Sequence, residues 1–361
     1  MEHKIKPPVW RKLAILLAVA LLIKIFAVFN GAVENLYATG VYPVIAVILR
    51  AIAGWLPFSL GDILYGAIII WLLVRLIKLF TIAVTGKATW QGFGRGAIKI
   101  IIRLLYIYII FNILWGMNYD RRGISYQLKL DAGRYSTDEL KALTGELIER
   151  VDSARLALGD RVIYPAYQDV FKQAAAAYTG LRLQYPFLRY AVTSIKKSLY
   201  GRVDNDFGFL GYYNPFTGEA QVNTGVPAFL IPYTTCHEIA HQLGYGSESE
   251  ANFVGYLSAK ASGNPFFRYS VYFDLFNYAN GELFLRDSAA ARANYHMLDT
   301  LVKRDYHIYR DFWLAHKNPA EPLIRLFYGE YLKANNQPKG IETYDDVVAW
   351  LIAYRKKNGR I

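Results

Sequence analysis

The chain is poor in cysteine and poor in charge. A single cysteine, Cys236, in 361 residues excludes an internal disulfide and any cysteine-rich zinc module. Charged residues are 19% of the chain, against about 25% for an average soluble protein, while 54% are hydrophobic. That imbalance points to a chain living partly in lipid and excludes disordered and collagen-like classes. Acids are also missing where bases cluster: residues 75–103 hold Arg75, Lys78, Lys87, Arg95, Lys99 and Arg103 with no Asp or Glu. The formal net charge of +12 owes much to such stretches. No RNP, helix-turn-helix or finger pattern accompanies it, so a nucleic-acid partner is not expected.

What is present in the first third is apolar sequence in long runs. Residues 13–30 carry one charge, Lys24, and are long enough to cross a hydrocarbon layer of roughly 30 Å. Residues 63–82 and 100–117 are second and third expected spans. Residues 43–58 are apolar too, but Pro43, Arg50, Gly54 and Pro57 interrupt them, which predicts a re-entrant or interfacial helix, a fourth span being the alternative. Lys4, Lys6, Arg11 and Lys12 precede the first span, and the basic 75–103 stretch joins the second to the third. Both therefore face the cytoplasm, and everything after residue 118 lies outside. Residues 1–118 form the membrane region and 119–361 an extracytoplasmic domain with the lipid bilayer as its neighbour.

From Asn118 the composition becomes that of a soluble domain. Ser136-Thr-Asp-Glu139 is a capping box that opens a helix, and 166–178 predicts another. Residues 190–203 and 218–224 read as strands, and Asp204, Asn205 and Asp206 read as a solvated turn between them. Helices are expected again from about 233, over 268–285, 290–316, 320–335 and 344–357. The fold class is a three-span helical membrane region carrying an α+β, mostly helical domain with one small sheet.

The chemistry concentrates in TTCHEIAHQLGYGSESEANF, residues 234–253. His237 and His241, four apart on a helix, project from one face about one turn from each other, which suits two ligands of one tetrahedral Zn2+. Glu238 is turned about 100° around the axis, placed to act as general base on a water rather than as a ligand. Gly244 is suited to a left-handed stop that turns the chain back. A third ligand is required, and the following helix offers Glu248, with Glu250 as the alternative. Asn252, four residues after Glu248, shares its face and can orient a ligating histidine. Cys236 points away and reads as a small core residue.

His237-Glu238-x-x-His241 followed by Glu248-x-x-Ala251-Asn252 resembles the gluzincin metallopeptidases, in which Glu-x-x-Ala-Asp supplies the third ligand; Asn252 stands where those have aspartate. The chain as a whole resembles an uncharacterised bacterial family of three-span membrane proteins taken to be zinc peptidases. The matching stretches are 41–65, 113–123, 211–223, 236–253 and 331–351, among them ILWGMNYDRRG and GYYNPFTGEAQVN. The resemblance implies a membrane-anchored zinc metallopeptidase acting on a peptide or protein, with the 218–224 strand as the sheet edge that pairs with substrate. An oxyanion-stabilising group is expected among His296, His307, His316, Tyr328 and Tyr331. A non-catalytic zinc sensor and a structural zinc site are the alternatives. Neither a particular substrate nor an oligomeric state is legible.

Overall fold

A computed structural model describes residues 9–86, 90–340 and 346–361. The expected cytoplasmic residues Lys4, Lys6 and Lys87, and the first two positions of the 344–357 helix, lie outside those residues.

Helix α1 (Val9–Ala27) covers the first apolar run and packs along α5 (Trp90–Leu114). A short α2 (Asn30–Ala32) passes through a π-helical stretch, Val33–Val41, into α3 (Tyr42–Gly54). Ser59 then caps α4 (Leu60–Val84), its hydroxyl accepting from the Asp62 amide at 3.1 Å. Asn30–Gly54, Leu60–Val84 and Gly96–Leu114 are long and apolar enough to cross a membrane; α1 matches them in length but includes Arg11, Lys12 and Lys24.

Asn30–Gly54 is, however, tied along its whole length to residues that follow the Gly96–Leu114 helix. The Asn30 amide donates to the Asp120 carbonyl at 2.6 Å, and Glu34 holds Arg121 in a bidentate ion pair at 2.8 and 3.0 Å. Tyr42 and Arg50 both donate to the Gln242 carbonyl, and the Gly54 carbonyl accepts from Lys196. This stretch is thus anchored at both ends to the domain that follows, although it is also one of the three long enough and apolar enough to cross a membrane. Val44, Ile48 and Ile52 project from its outer side, and Trp55 follows at 77% exposed.

After a 3-10 turn (Gly116–Asp120) and the short α6 (Gly123–Leu128), the capping box of Ser136 and Glu139 opens α7 (Thr137–Leu156). Helices α8 (Tyr167–Leu181) and, further on, α12 (Pro265–Arg286) close around the core, with α7 lying along α12. The sheet has three short strands in the order β1-β3-β2: β1 (Ile195–Lys197) pairs parallel with β3 (Glu219–Val222), and β2 (Gly211–Asn214) pairs antiparallel with it. β3 is therefore the buried central strand, and the expectation that 218–224 forms a substrate-pairing edge is corrected; the edges are β1 and β2. The 201–203 end of the expected first strand and the Asp204–Asp206 turn are instead α9 (Gly201–Phe207). The reason is internal satisfaction: buried Asp204 accepts from the Ser198 hydroxyl at 2.5 Å and Asn205 from the Asn223 amide at 2.6 Å.

Helices α10 (Ile231–Gln242) and α11 (Glu248–Ala261) form a tight pair at the centre of the domain. The expected 290–316 helix is two, α13 (Ser288–Met297) and α14 (Thr300–Ala315), because Asp287 and Asp299 each cap a new start. Helices α15 (Glu321–Ala334) and α16 (Val347–Asn358) complete the chain. The result is mostly helical with one small sheet.

Candidate metal centre

Every residue of α10 is buried although eight of its twelve side chains are polar or ionisable. The hydroxyls of Thr234 and Thr235 are spent within the helix, on the carbonyls of Leu230 and Ile231. Gly244, with φ of +86°, ends it; a Cβ there would come within 2.8 Å of the Tyr42 ring. The last carbonyls of a helix have no partner of their own, and here the membrane-proximal segments supply them. Trp115 Nε1 donates to the His241 carbonyl at 3.0 Å, Tyr42 and Arg50 to that of Gln242 at 3.0 and 2.8 Å, and Arg121 to that of Gly244 at 3.1 Å. Gln242 is held as well, accepting from Tyr190 and donating to the Ser194 and Gly218 carbonyls.

This frame brings three of the expected residues together. His237 Nε2 lies 3.1 Å from His241 Nε2 and 3.1 Å from Glu248 Oε2, and His241 Nε2 lies 3.3 Å from the same oxygen. Ligands about 2.05 Å from a tetrahedral metal are about 3.3 Å apart along the tetrahedron's edge, so the triangle has the size that one small metal ion requires. His241 Nδ1 hydrogen-bonds the Tyr245 carbonyl at 2.7 Å, fixing its proton on that side and turning Nε2 to the centre. Asn252 hydrogen-bonds His237, and the Tyr328 hydroxyl donates to the other oxygen of Glu248 at 3.0 Å. Glu250, the alternative third ligand, faces away and accepts from the Ile124 amide at 2.8 Å.

The electrostatics say which sign of charge the triangle favours. Burial works to raise Glu248, but the charge of His241 and the hydrogen bonds from both imidazoles outweigh it and hold the carboxyl well below its usual range. Burial works to lower His241, and the Glu248 carboxylate reverses this, raising the imidazole to about 9. His237, where burial prevails, is lowered. Two imidazoles and a carboxylate converging on one point stabilise a positive charge between them, a proton or a metal cation.

Glu238 stands beside this triangle without joining it. Its Oε2 is buried and has no hydrogen-bond partner among the described residues, and burial pushes its carboxyl up to about 8. β2 passes so close that a Cβ at Gly211 would lie 2.7 Å from Glu238 Oε1, so only glycine leaves the carboxylate its place. The edge strand next to Glu238 is thus β2.

His237 and Glu238 open onto a cleft of about 720 Å³ between α10, α12 and α15. Of the later residues considered for stabilising an oxyanion, Tyr328 and His316 line this cleft. Tyr331 instead meets Tyr119 at 3.3 Å, while His296 and His307 are exposed elsewhere. Cys236 is fully buried, its thiol pushed up to about 12 by burial. Two features escaped sequence reasoning. One is the set of donors at the end of α10, from residues as far away in sequence as Tyr42; the only signal was a Trp, a Tyr and Arg residues at the edges of apolar runs. The other is Asp274 in the cleft wall, hidden in an aromatic helix.

Residues 37–352 match the family described as "Protein of unknown function (DUF3810)", and the chain belongs to that family. No curated protein and no solved structure matches it.

Proposed function

We propose that this family member is a membrane-anchored zinc metallopeptidase of gluzincin type, hydrolysing a peptide or amide bond outside the cytoplasmic membrane. The observation that carries the reading is the 3.1–3.3 Å triangle of His237 Nε2, His241 Nε2 and Glu248 Oε2 beside the unpartnered Oε2 of Glu238. Those three residues would hold zinc, which supplies Lewis acidity toward water and the scissile carbonyl.

The chain's own groups do the remaining work. Glu238 takes the proton of the attacking water as the C–O bond forms, then delivers it to the leaving nitrogen as the C–N bond breaks. Its raised proton affinity, caused by burial, suits a group that must carry a proton. The Tyr245 carbonyl, Asn252 and Tyr328 keep the ligand atoms aimed. Helices α1, α4 and α5 serve as the spans, and Asn30–Gly54 lies in the interface beneath the domain.

Full-length protein in detergent, analysed for metal and incubated with a quenched fluorogenic peptide library, tests this directly. Wild type and Glu238→Gln both retain about one zinc, and the variant loses cleavage by a factor on the order of 10² or more. Absence of stoichiometric metal, or cleavage indifferent to the substitution, ends the peptidase reading. Because Cys236 is buried, a cysteine introduced at exposed Ile163 reports sidedness with an impermeant maleimide: labelling from outside is expected.

A further inference from the structure

Of the carboxylates that line the cleft besides Glu238, namely Asp206, Asp274, Glu321 and Glu330, one is buried and hydrolysis does not use it. Asp274 on α12 is 8% exposed and lines the same cleft as His237 and Glu238. Among the described residues it accepts no hydrogen bond and forms no ion pair, and desolvation is all that acts on its proton affinity. The cations that line the cleft, Lys317, Arg325, Lys333 and Lys339, form no salt bridge with it. Aromatic rings line the same cleft, and Tyr233 feels its charge. Tyr278 and Trp313 share the cleft wall, Tyr309 feels its charge, and the Tyr309 and Trp313 rings meet edge to face at 6.2 Å.

A buried carboxylate without a partner is costly, and in folded proteins such groups are normally paired. One acid with neutral aromatics offers too few donors for a second metal ion, which would need three or four. A carboxylate beside Tyr and Trp faces is, by contrast, a fitted receptacle for an organic cation, which gains an ion pair and ring contacts together. We propose that Asp274 is the counter-charge of a substrate subsite that takes an alkylammonium group, placing a cationic residue of the substrate in the cleft next to Glu238. The proposal rests on the peptidase reading only in that the cleft is the substrate site. Burial pushes the Asp274 carboxyl up to about 7, so a bound cation has ionisation to recover there.

Equilibrium binding of three small probes to the full-length protein, zinc-loaded and chelated, tests it without requiring turnover. The probes are N-acetyl-norleucine amide, which is neutral, N-acetyl-lysine amide, with a side-chain ammonium, and norleucine amide, with an α-ammonium. One charged probe is expected to bind at least about tenfold more tightly than the neutral one, and which of the two does so identifies the source of the cation. Asp274→Asn is expected to erase that preference while leaving the neutral probe unchanged. Equal affinity of all three for the wild type, or a preference that survives Asp274→Asn, overturns the subsite. A protein that binds no metal yet keeps the ammonium preference would sink the peptidase reading and leave the subsite standing.

Discussion

Helices α4 and α10 invert the usual relation between composition and burial. α4 has 25 residues, nearly all apolar, and past Asp62 none of them is buried. α10 has twelve, among them His237, Glu238, His241 and Gln242, and all are buried. An apolar helix with no protein around it is stable only in a solvent that does not need excluding, which is the hydrocarbon of a membrane. A polar helix at the centre of a domain is stable only if each polar group finds a partner. Almost all of α10's groups do, several of them by reaching residues next to the spans. Burial in α10 therefore follows partner supply rather than hydrophobicity, and Glu238 Oε2 and Asp274 are two of the buried acidic positions where supply was withheld.

The largest expected effect breaks the polar side of the comparison. His241→Ala or Glu248→Ala removes one corner of the triangle, and bound zinc, measured by elemental analysis after gel filtration, is expected to fall below about a tenth of the wild-type content. Metal binding contributes to folded-state stability wherever the site exists only in the fold. Chelation should therefore lower the melting temperature of the wild type and leave that of these variants where it was. A variant that still binds a full equivalent would mean that the three atoms do not form the site.

Next in size is Asp274. Its folded pKa, about 7, exceeds the ordinary 3.8, so between roughly pH 4 and 7 the folded chain keeps a proton that the unfolded chain releases. That contribution favours folding below about pH 4 and is lost as pH rises through 7. Asp274→Asn removes the titration. The variant should match the wild type near pH 4 and exceed it above pH 7, by up to about 4 kcal/mol. Melting curves of both proteins from pH 4 to 8 check this, and parallel curves would contradict it. A stabilising loss of this kind is expected where a residue serves binding at the expense of the fold.

On the apolar side, Leu73→Arg places a charge near the middle of α4. If that helix spans, the cost is about 2.5–3.5 kcal/mol of insertion free energy, while Leu73→Ala leaves the assembled protein nearly unchanged. The fraction resistant to carbonate extraction reads the difference. Equal extraction of wild type and Leu73→Arg would mean that α4 does not cross the bilayer.

The two helices were unequally legible. α4 could be read from composition because lipid imposes its demand residue by residue. In α10 the spacing of His237, Glu238 and His241 was visible, since one helical turn sets it. The face that Glu248 shares with Asn252 favoured it over Glu250, but what turns Glu250 away was not visible, because it is the Ile124 amide, a contact 126 residues away in sequence. Strand character at 219–222 was legible from alternation, but the strand's central place was not; it arises from parallel pairing with β1, and pairing order is a long-range property. The helix at Asp204–Asp206 was missed for a similar reason: its acid and amide read as solvent-seeking until Ser198 and Asn223 are folded against them. Asp274 was invisible because an acid among aromatics gives no local sign of whether anything pairs with it.

The smallest effect tests the joint between the two regions. Trp115→Phe keeps an aromatic ring between α5 and α10, so packing against Tyr119 and Tyr213 is largely retained, but it deletes the Nε1 donor to the His241 carbonyl. Tyr42, 3.5 Å from that carbonyl, is already engaged with Gln242 and offers only weak relief. Leaving a buried carbonyl without a full partner costs about 1–3 kcal/mol. The loss should appear as a lower melting temperature and also as weaker zinc retention in a competition with chelator, because the carbonyl belongs to the ligand residue itself. Loss of stability with unchanged zinc affinity would show that the membrane-proximal segments support the fold of α10 but do not aim His241; loss of neither would remove Trp115 from the argument.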